Sequence, residues 1–280
     1  MLRQCVLCPR NCRVDRRAGE RGFCGAPADP VVASAGPHFG EEPCLVGRGG
    51  SGTIFLAGCN LRCVFCQNFD ISHAIVGEAM GPPQVARLML ALESRGCENI
   101  NFVTPTHVAP ALAEAIVLAR GRGLRVPVVW NCGGYESVEV LRGLEGLVEI
   151  YMPDFKFACR ESADRYCGAP DYPERAREAL REMHRQVGDL RVEDGVARRG
   201  LLVRHLVMPG GLAETRQVLE FLASLSLRTR VNVMGQYRLA GLVLRPEGGR
   251  GWAAIARRPT PDEVAEARRL AAGLGLRLAE

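Results

Sequence analysis

Residues 53–68 read TIFLAGCNLRCVFCQN, the most specific pattern in the chain. The apolar run Thr53–Leu56 predicts a buried β-strand. The loop after it carries three cysteines, Cys59, Cys63 and Cys66, in the spacing Cys-x3-Cys-x2-Cys. Three thiolates can bind three irons of a 4Fe–4S cluster, which normally takes four cysteine ligands. The fourth iron would then be open to a small molecule.

A structural zinc site is the alternative interpretation of the same three cysteines. Such sites are usually closed by four cysteine or histidine ligands. In the twenty residues after Cys66, His73 is the one side chain of these types. The spacing therefore favours a cluster with an open iron, although it does not exclude zinc.

The cysteine spacing, the aromatic Phe65 before the last cysteine and the preceding strand together resemble the radical SAM superfamily. Within it, the resemblance is to the branch of pyruvate formate-lyase activating enzyme. It implies a 4Fe–4S cluster on Cys59, Cys63 and Cys66, with S-adenosylmethionine (SAM) bound to the open iron. It also implies reductive cleavage of SAM to a 5′-deoxyadenosyl radical, and contact of Phe65 with the adenine.

Composition predicts an ordinary globular protein of the cytoplasm. The 280 residues are 47% hydrophobic and 24% charged, the N-terminus has no apolar signal segment, and no apolar run is long enough to span a membrane. Twelve cysteines in such a chain indicate metal ligation rather than disulfides. The net charge of +5 is small and spread along the chain, which argues against a nucleic-acid partner.

Strand-like and helix-like segments alternate after the cysteine loop, which predicts an α/β fold with a parallel sheet. Six such units fit a partial (β/α)6 TIM-like barrel, as the resemblance also implies, and the chain is too short for the eight units of a complete barrel. We expect two parts: a Cys-rich N-terminal extension over residues 1–48 and the barrel over residues 49–280. The predicted strands are Thr53–Leu56, Asn99–Val103, Val126–Trp130, Val148–Met152, Leu201–Val207 and Arg230–Met234.

Polar residues fall near the ends of these strands, where parallel barrels carry their chemistry. Thr104 and Thr106 follow the second strand, where many members of the superfamily have Gly-Gly-Glu, and their oxygens could accept from the SAM ammonium. By resemblance, Asn131 and Asp154 are candidate oxygen ligands of a monovalent cation beside the SAM carboxylate; alternatively, Asp154 pairs with a basic side chain. Arg204 on the fifth strand is a candidate partner of SAM or of a substrate carbonyl.

Lys156 is the one lysine in a chain that otherwise uses arginine for its 36 basic residues. An ammonium is a compact point charge, whereas a guanidinium is a planar fork. The position, two residues after Asp154, therefore suggests a cofactor-binding role that arginine cannot fill; chance survival of a lysine is the alternative.

A second cysteine group lies near the N-terminus, with the pattern Cys5-x2-Cys8-x3-Cys12-x11-Cys24. Four cysteines in so short a segment predict a closed metal site that stabilises a segment too small for a core of its own. Zinc and a second iron–sulfur cluster both fit this spacing.

The predicted function is therefore that of a radical SAM enzyme that abstracts hydrogen from its substrate. By resemblance, the substrate could be a glycine in a partner glycyl radical enzyme, and a flavodoxin or ferredoxin would be the electron donor. Two alternatives remain: a radical SAM enzyme acting on a small molecule, peptide or nucleic acid, and a non-enzymatic zinc-binding module.

Overall fold

The six predicted strands run parallel at the centre of the protein, and a short C-terminal strand that was not predicted extends this parallel part of the sheet to seven. The computed structural model describes residues 1–245 and 251–279. The strands in chain order are β1 (Val31–His38), β2 (Ser51–Leu56), β3 (Glu78–Ala79), β4 (Ile100–Val103), β5 (Val128–Cys132), β6 (Ile150–Pro153), β7 (Arg191–Glu193), β8 (Val196–Leu206), β9 (Arg230–Met234) and β10 (Arg277–Leu278).

The sheet runs in the order β10-β9-β8-β6-β5-β4-β2-β1-β3, with β7 paired to β8. The pairs from β2 to β10 along this path are parallel, whereas β1 lies antiparallel to both β2 and β3. Within the described ranges, the outermost strands β3 and β10 do not pair with each other. The α/β fold class and the partial barrel are therefore confirmed.

Helices follow most of the parallel strands and cover the outside of the sheet. They are α1 (Pro43–Val46), α2 (Phe69–Ser72), α3 (Pro82–Ser94), α4 (Ala109–Gly121), α5 (Val138–Arg142), α6 (Arg160–Cys167), α7 (Tyr172–Val187), α8 (Thr215–Leu225) and α9 (Pro261–Gly273). Helix α9 begins with a capping box: the Thr260 hydroxyl accepts from the amide of Glu263, whose carboxylate accepts from the amide of Thr260.

The predicted strand positions differ from the structure where local chemistry sets the boundary. The third predicted strand begins two residues late, at Val128, because Pro127 has no N–H to donate to the ladder. Strand β8 begins earlier than predicted because its first residues form a hairpin with β7. The turn between the two strands lies at Asp194 and Gly195, with φ of 50° and 81°, as a primed hairpin turn requires.

The segment between β1 and β2 packs across the amino-terminal ends of the strands. Leu45 is fully buried against Val129 and Met152. Its carbonyl accepts from the Asn99 side chain (2.7 Å), and the Glu42 carboxylate accepts from Asn232 (2.9 Å). The interior is therefore filled at one end of the strands, which leaves the opposite end for a ligand.

No helix within residues 1–245 and 251–279 has the length and apolar character that crossing a membrane requires. The predicted division at residue 48 stays a prediction. Strand β1 lies before that position and pairs with β2 over Val32–His38, so the main sheet includes residues from both predicted parts.

Candidate active site

A cavity of about 280 Å³ lies at the carboxyl ends of the central strands. Its wall takes residues from six successive strand ends: the cysteine loop after β2, Thr104 after β4, Asn131 and Cys132 of β5, Asp154 after β6, Arg204 of β8 and Met234 of β9. Parallel strands align their carboxyl ends on one side, which explains why residues so far apart in sequence meet here.

All three cysteines of the loop after β2 line this cavity. Cys59 accepts a hydrogen bond from the amide of Leu61 (3.4 Å), and Cys66 accepts one from the Ser72 hydroxyl (3.3 Å). Burial raises the pKa of Cys59 to about 12 and also raises that of Cys66. The thiols are therefore protonated at neutral pH unless a bound cation stabilises their thiolates.

Cys167, at the end of α6, contacts the cysteine loop, a contact that sequence analysis missed. Its Sγ lies 3.2 Å from Sγ of Cys63. This contact, together with burial, holds the pKa of Cys63 well above the usual range. No sequence pattern signals this contact, because 104 residues separate the two cysteines and Cys167 belongs to no ligand spacing.

The donor set fits a 4Fe–4S cluster better than a single metal ion. The three thiols of the loop after β2 lie in one cavity wall with Cys132 of β5, and no histidine is among the residues of that wall. Throughout residues 1–245 and 251–279, no three His, Cys, Asp or Glu side chains are spaced as ligands of one ion. The three cysteines of the loop after β2 supply the three thiolates that a cluster with one open iron requires.

Phe65 lies in the cavity wall but is 5% exposed. Its ring packs edge-on against Phe157 and Tyr237, with centroid distances of 6.0 and 6.1 Å. These three aromatic rings form the apolar side of the cavity, so only a small part of Phe65 is available to a ligand.

Asp154 connects two basic side chains at the polar side of the cavity. Its Oδ1 accepts from Arg204 Nε (2.8 Å), and its Oδ2 accepts from Lys156 Nζ. Arg204 also donates through Nη2 to Oδ1 of Asn131 (2.6 Å). The oxygens predicted as ligands of a monovalent cation are therefore engaged by Arg204 and Lys156, the arrangement that was the alternative prediction for Asp154.

Charge pairing fixes the protonation states of this group. Burial opposes ionisation of Asp154, but Arg204 and Lys156 outweigh it and hold the pKa of the carboxyl below its usual range. Burial likewise opposes the charge on Lys156, and the Asp154 carboxylate outweighs it, so its pKa lies well above the usual value. Asp154 is an anion and Lys156 a cation at neutral pH.

Two glycines let the chain pass close to this group. Gly134 has φ of 79°, and a Cβ there would lie 2.3 Å from the carbonyl oxygen of Asp154. At Gly133, a Cβ would lie 2.8 Å from the Leu61 side chain. The Gly-Gly pair after β5 thus permits both the left-handed turn and the approach of the cysteine loop.

The two predicted threonines are placed differently. Thr104 lines the cavity with φ of 61°, a conformation that is unusual for a β-branched residue, and its amide donates to the Asn131 carbonyl (2.8 Å). Thr106 is buried outside the described cavity wall, and its hydroxyl donates to Glu136. Burial raises the pKa of Glu136 to about 7. Of the two predicted threonines, only Thr104 therefore lies in the wall of this cavity, and a role of Thr106 in SAM binding stays a prediction.

The four N-terminal cysteines line a second, much smaller cavity of about 10 Å³. The amide of Phe23 donates to Sγ of Cys12 (3.4 Å). His107, which lines the same cavity, faces the Ala57 carbonyl with Nε2 (2.9 Å), while Nδ1 has no hydrogen-bond partner among the described residues. The structure thus brings together the four cysteines that the sequence grouped.

Comparison with known proteins identifies the family. Residues 53–222 match the model of the radical SAM superfamily. The chain is similar to the uncharacterized protein MJ0674 of Methanocaldococcus jannaschii, with 32% identity over 97% of this chain and 75% of that protein. It is 26% identical to the uncharacterized protein MJ0808 of the same organism over 50% of this chain and 46% of that protein.

Among solved structures, methylornithine synthase aligns with a TM-score of 0.47 and 11% identity over 81% of this chain and 70% of that chain. The family match spans more than half of the chain and includes the three cysteines of the loop after β2. The chain therefore belongs to the radical SAM superfamily, whose members cleave S-adenosylmethionine with an iron–sulfur cluster.

Proposed function

We propose that Cys59, Cys63 and Cys66 bind a 4Fe–4S cluster and that the protein uses it to abstract hydrogen from a segment of a partner protein or peptide. One observation carries this proposal: the three thiols, Thr104 and the Asp154 group all line one cavity at the carboxyl ends of the strands. When bound, the cluster supplies the electron that cleaves SAM to methionine and a 5′-deoxyadenosyl radical.

Lys156 is the proposed anchor for the carboxylate of SAM. The ammonium has three N–H donors, and Asp154 is its one acceptor among the described side chains. The two remaining donors can bind an anion in the cavity. Arg204 has a different role, because its bonds to Asp154 and Asn131 fix the position of Asp154. These fixed cations take the place of the monovalent cation that the resemblance implied.

Thr104 is the proposed acceptor for the ammonium of SAM. Strain in the backbone is commonly stored at functional sites, and Thr104 is a non-glycine residue at positive φ in the cavity wall. Its left-handed conformation, tied to Asn131 by the amide, sets the direction of its carbonyl and hydroxyl oxygens. The aromatic side of the cavity, formed by Phe65, Phe157 and Tyr237, would keep water away from the radical.

The size of the cavity supports a macromolecular substrate. Its volume of about 280 Å³ lies just below the range for a single drug-sized ligand, roughly 300–1,000 Å³. The cluster and SAM would both occupy this space, so we propose that the substrate is not enclosed with them. The substrate hydrogen would then approach at the mouth, as a glycine in a loop of a glycyl radical enzyme could. A flavodoxin or ferredoxin is the proposed electron donor.

The first experiment is anaerobic reconstitution with iron and sulfide, reduction, and EPR spectroscopy with and without SAM. We expect a 4Fe–4S signal that shifts on addition of SAM, and formation of 5′-deoxyadenosine. Cys63→Ala should lose both, whereas Cys97→Ala, a buried cysteine outside the described cavity wall, is the matched control. A signal that is indifferent to SAM would contradict the proposed cluster site.

The substrate class is tested separately, by transfer of deuterium into 5′-deoxyadenosine. Glycine-deuterated partner protein or peptide should pass the label to 5′-deoxyadenosine, and the partner should acquire a glycyl radical signal. Label transfer from deuterated small metabolites, with none from protein, would replace the partner proposal by the small-molecule alternative.

A further inference from the structure

We propose that Cys5, Cys8, Cys12 and Cys24 bind one zinc ion, and that this ion fixes the loop carrying the three other cysteines. The four thiols line one enclosed cavity together with Arg10 and Arg16. The proposal goes beyond radical chemistry, because the site shares none of its cysteines with the candidate active site.

The size of the N-terminal cavity favours a single ion over a cluster. Its volume of about 10 Å³ is roughly that of one water-sized sphere. A space of this size suits one ion surrounded by sulfur ligands, and it is far smaller than the active-site cavity of about 280 Å³. The thiols are not yet at ligand spacing, so binding requires rotation of the cysteine side chains toward the centre of the cavity. Zinc favours four tetrahedral sulfur ligands, and the four cysteines supply that number.

The charges around the cavity point to an anionic centre within it. Arg16 is 2% exposed, and its guanidinium donates to the carbonyls of Pro27 and His107 and lies 3.9 Å from Cys5 Sγ. Arg10 donates to the carbonyls of Asn60, Cys167 and Gly168. Among the described residues, neither arginine has a carboxylate within ion-pair distance.

Arg16 is a buried cation, which is costly unless an anion balances it, whereas Arg10 is partly exposed and lies over the ring of Phe23. Zinc with four thiolates carries two net negative charges, which match the two guanidinium groups of Arg10 and Arg16. On binding, each thiol loses its proton to solvent and forms a bond to the ion, with no change in oxidation state. Both guanidinium groups would therefore stabilise the anionic metal-bound centre.

The N-terminal site is packed directly on the cysteine loop of the active site. Arg10 Nε donates to the Asn60 carbonyl (2.8 Å), inside the Cys59–Cys63 interval, and Nη2 donates to the carbonyl of Cys167 (2.8 Å). A Cβ at Gly58 would lie 2.7 Å from the carbonyl oxygen of Cys24. Fixing Cys24 and Arg10 by a metal therefore also fixes both sides of the loop.

The metal is tested in the full chain with Cys59, Cys63 and Cys66 all changed to alanine, so that no active-site cluster contributes. We expect about one zinc per chain and no acid-labile sulfide. Adding Cys8→Ser should abolish zinc binding, whereas adding Cys44→Ala, a buried cysteine at the other end of the barrel, should not. Iron with sulfide, or no stoichiometric metal, would overturn the zinc site whatever the outcome for radical chemistry.

Cobalt substitution counts the sulfur ligands. The intensity of the sulfur-to-cobalt charge-transfer bands should correspond to four thiolates. An intensity that corresponds to three thiolates would overturn the four-cysteine assignment and make His107 the candidate for the fourth ligand.

The effect on the loop is measured by hydrogen exchange of amides 58–66 in otherwise native full-length protein. Cys8→Ser should accelerate their exchange at least tenfold, with no change in the amides of β9. Arg10→Met, in which the zinc stays bound, should accelerate the same amides. Unchanged exchange in both variants would show that the zinc does not fix the loop.

Discussion

Replacing Asp154 by asparagine tests how the polar side of the active site is stabilised. The side chain of Asp154 is 16% exposed and accepts from two cations, Arg204 Nε at 2.8 Å and the Lys156 ammonium. Asparagine has nearly the same shape but no charge. The variant would therefore keep the packing and leave two largely buried cations without their shared anion.

The expected loss of folding stability follows from that loss of pairing. Removing one partner of a buried ion pair costs about 3–5 kcal/mol, because the remaining charge stays desolvated. The Asn131 oxygen and the Glu41 carboxylate, 3.8 Å from Arg204, compensate only in part. We expect Asp154→Asn to lower the apparent Tm by roughly 6–15 °C, using about 2–3 °C per kcal/mol for a chain of this size.

The assay is thermal unfolding of cluster-free protein under reducing conditions, with Glu178→Gln as the matched control. Glu178 pairs with Arg175 at 3.1 Å, but both side chains are about half exposed (49% and 48%), so its loss should cost less than about 1 kcal/mol. A fall in Tm for Asp154→Asn no larger than that of the control would refute the reasoning.

The loss of stability caused by Asp154→Asn should depend on pH. Because the folded pKa of Asp154 lies below its unfolded value of about 3.9, its stabilisation is present above that value and is lost as the pH falls through the folded pKa. The destabilisation by Asp154→Asn should therefore shrink below about pH 4. A difference between variant and wild type that stays constant from neutral pH to acid would contradict this assignment.

Three further substitutions test single residues. Glu136→Gln should gain stability relative to wild type, by up to about 3 kcal/mol, as the pH rises from about 4 to 7, because burial raises the folded pKa of Glu136 to about 7 and disfavours the anion. A difference in denaturation midpoint between the variant and wild type that is the same at both pH values would contradict this. Thr104→Gly should be more stable than Thr104→Ala by about 1 kcal/mol in urea unfolding, because glycine adopts a positive φ without the steric cost that alanine has. A Thr104→Ala variant more stable than Thr104→Gly would show that the turn is unstrained. Lys156→Arg should weaken SAM binding at least tenfold in anaerobic equilibrium dialysis and leave Tm nearly unchanged. The guanidinium keeps the ion pair with Asp154 but is broader than the ammonium that it replaces beside Gly133. An unchanged affinity for SAM would show that the lysine has no special role.

Local sequence patterns predicted the strands and helices well. Apolar runs with interposed amphipathic segments gave six parallel strands, and the Thr260 cap and the Asp194–Gly195 turn are where their residue types require. The antiparallel strands β1 and β3 were not predicted. Strand β1 contains Gly36 and Pro37, which are unusual in strands, and its pairing with β2 stabilises it instead.

Sequence patterns predicted some of the neighbours in the candidate site and missed others. Residues on strand ends next to one another in the sheet, such as Asn131 and Asp154, could be grouped because parallel order places them together. The position of Cys167 beside Cys63 depends on how α6 packs, and no spacing signals it. Thr106 lies two residues after Thr104, but its hydroxyl faces Glu136 because the chain turns sharply at the positive φ of Thr104.

The sequence by itself determined the family, the parallel α/β fold and the two groups of cysteines, because cysteine spacing and hydrophobic periodicity are local properties of the chain. Only the tertiary structure decided what surrounds them. It placed Lys156 and Arg204 on Asp154, Cys167 on Cys63, and Arg10 between the N-terminal cysteines and the active-site loop. Apart from the Asp154–Lys156 pair, which pairing of Asp154 with a basic side chain anticipated, these contacts join residues 50 to 157 positions apart, and they depend on the packing of whole strands and helices, which no local pattern specifies.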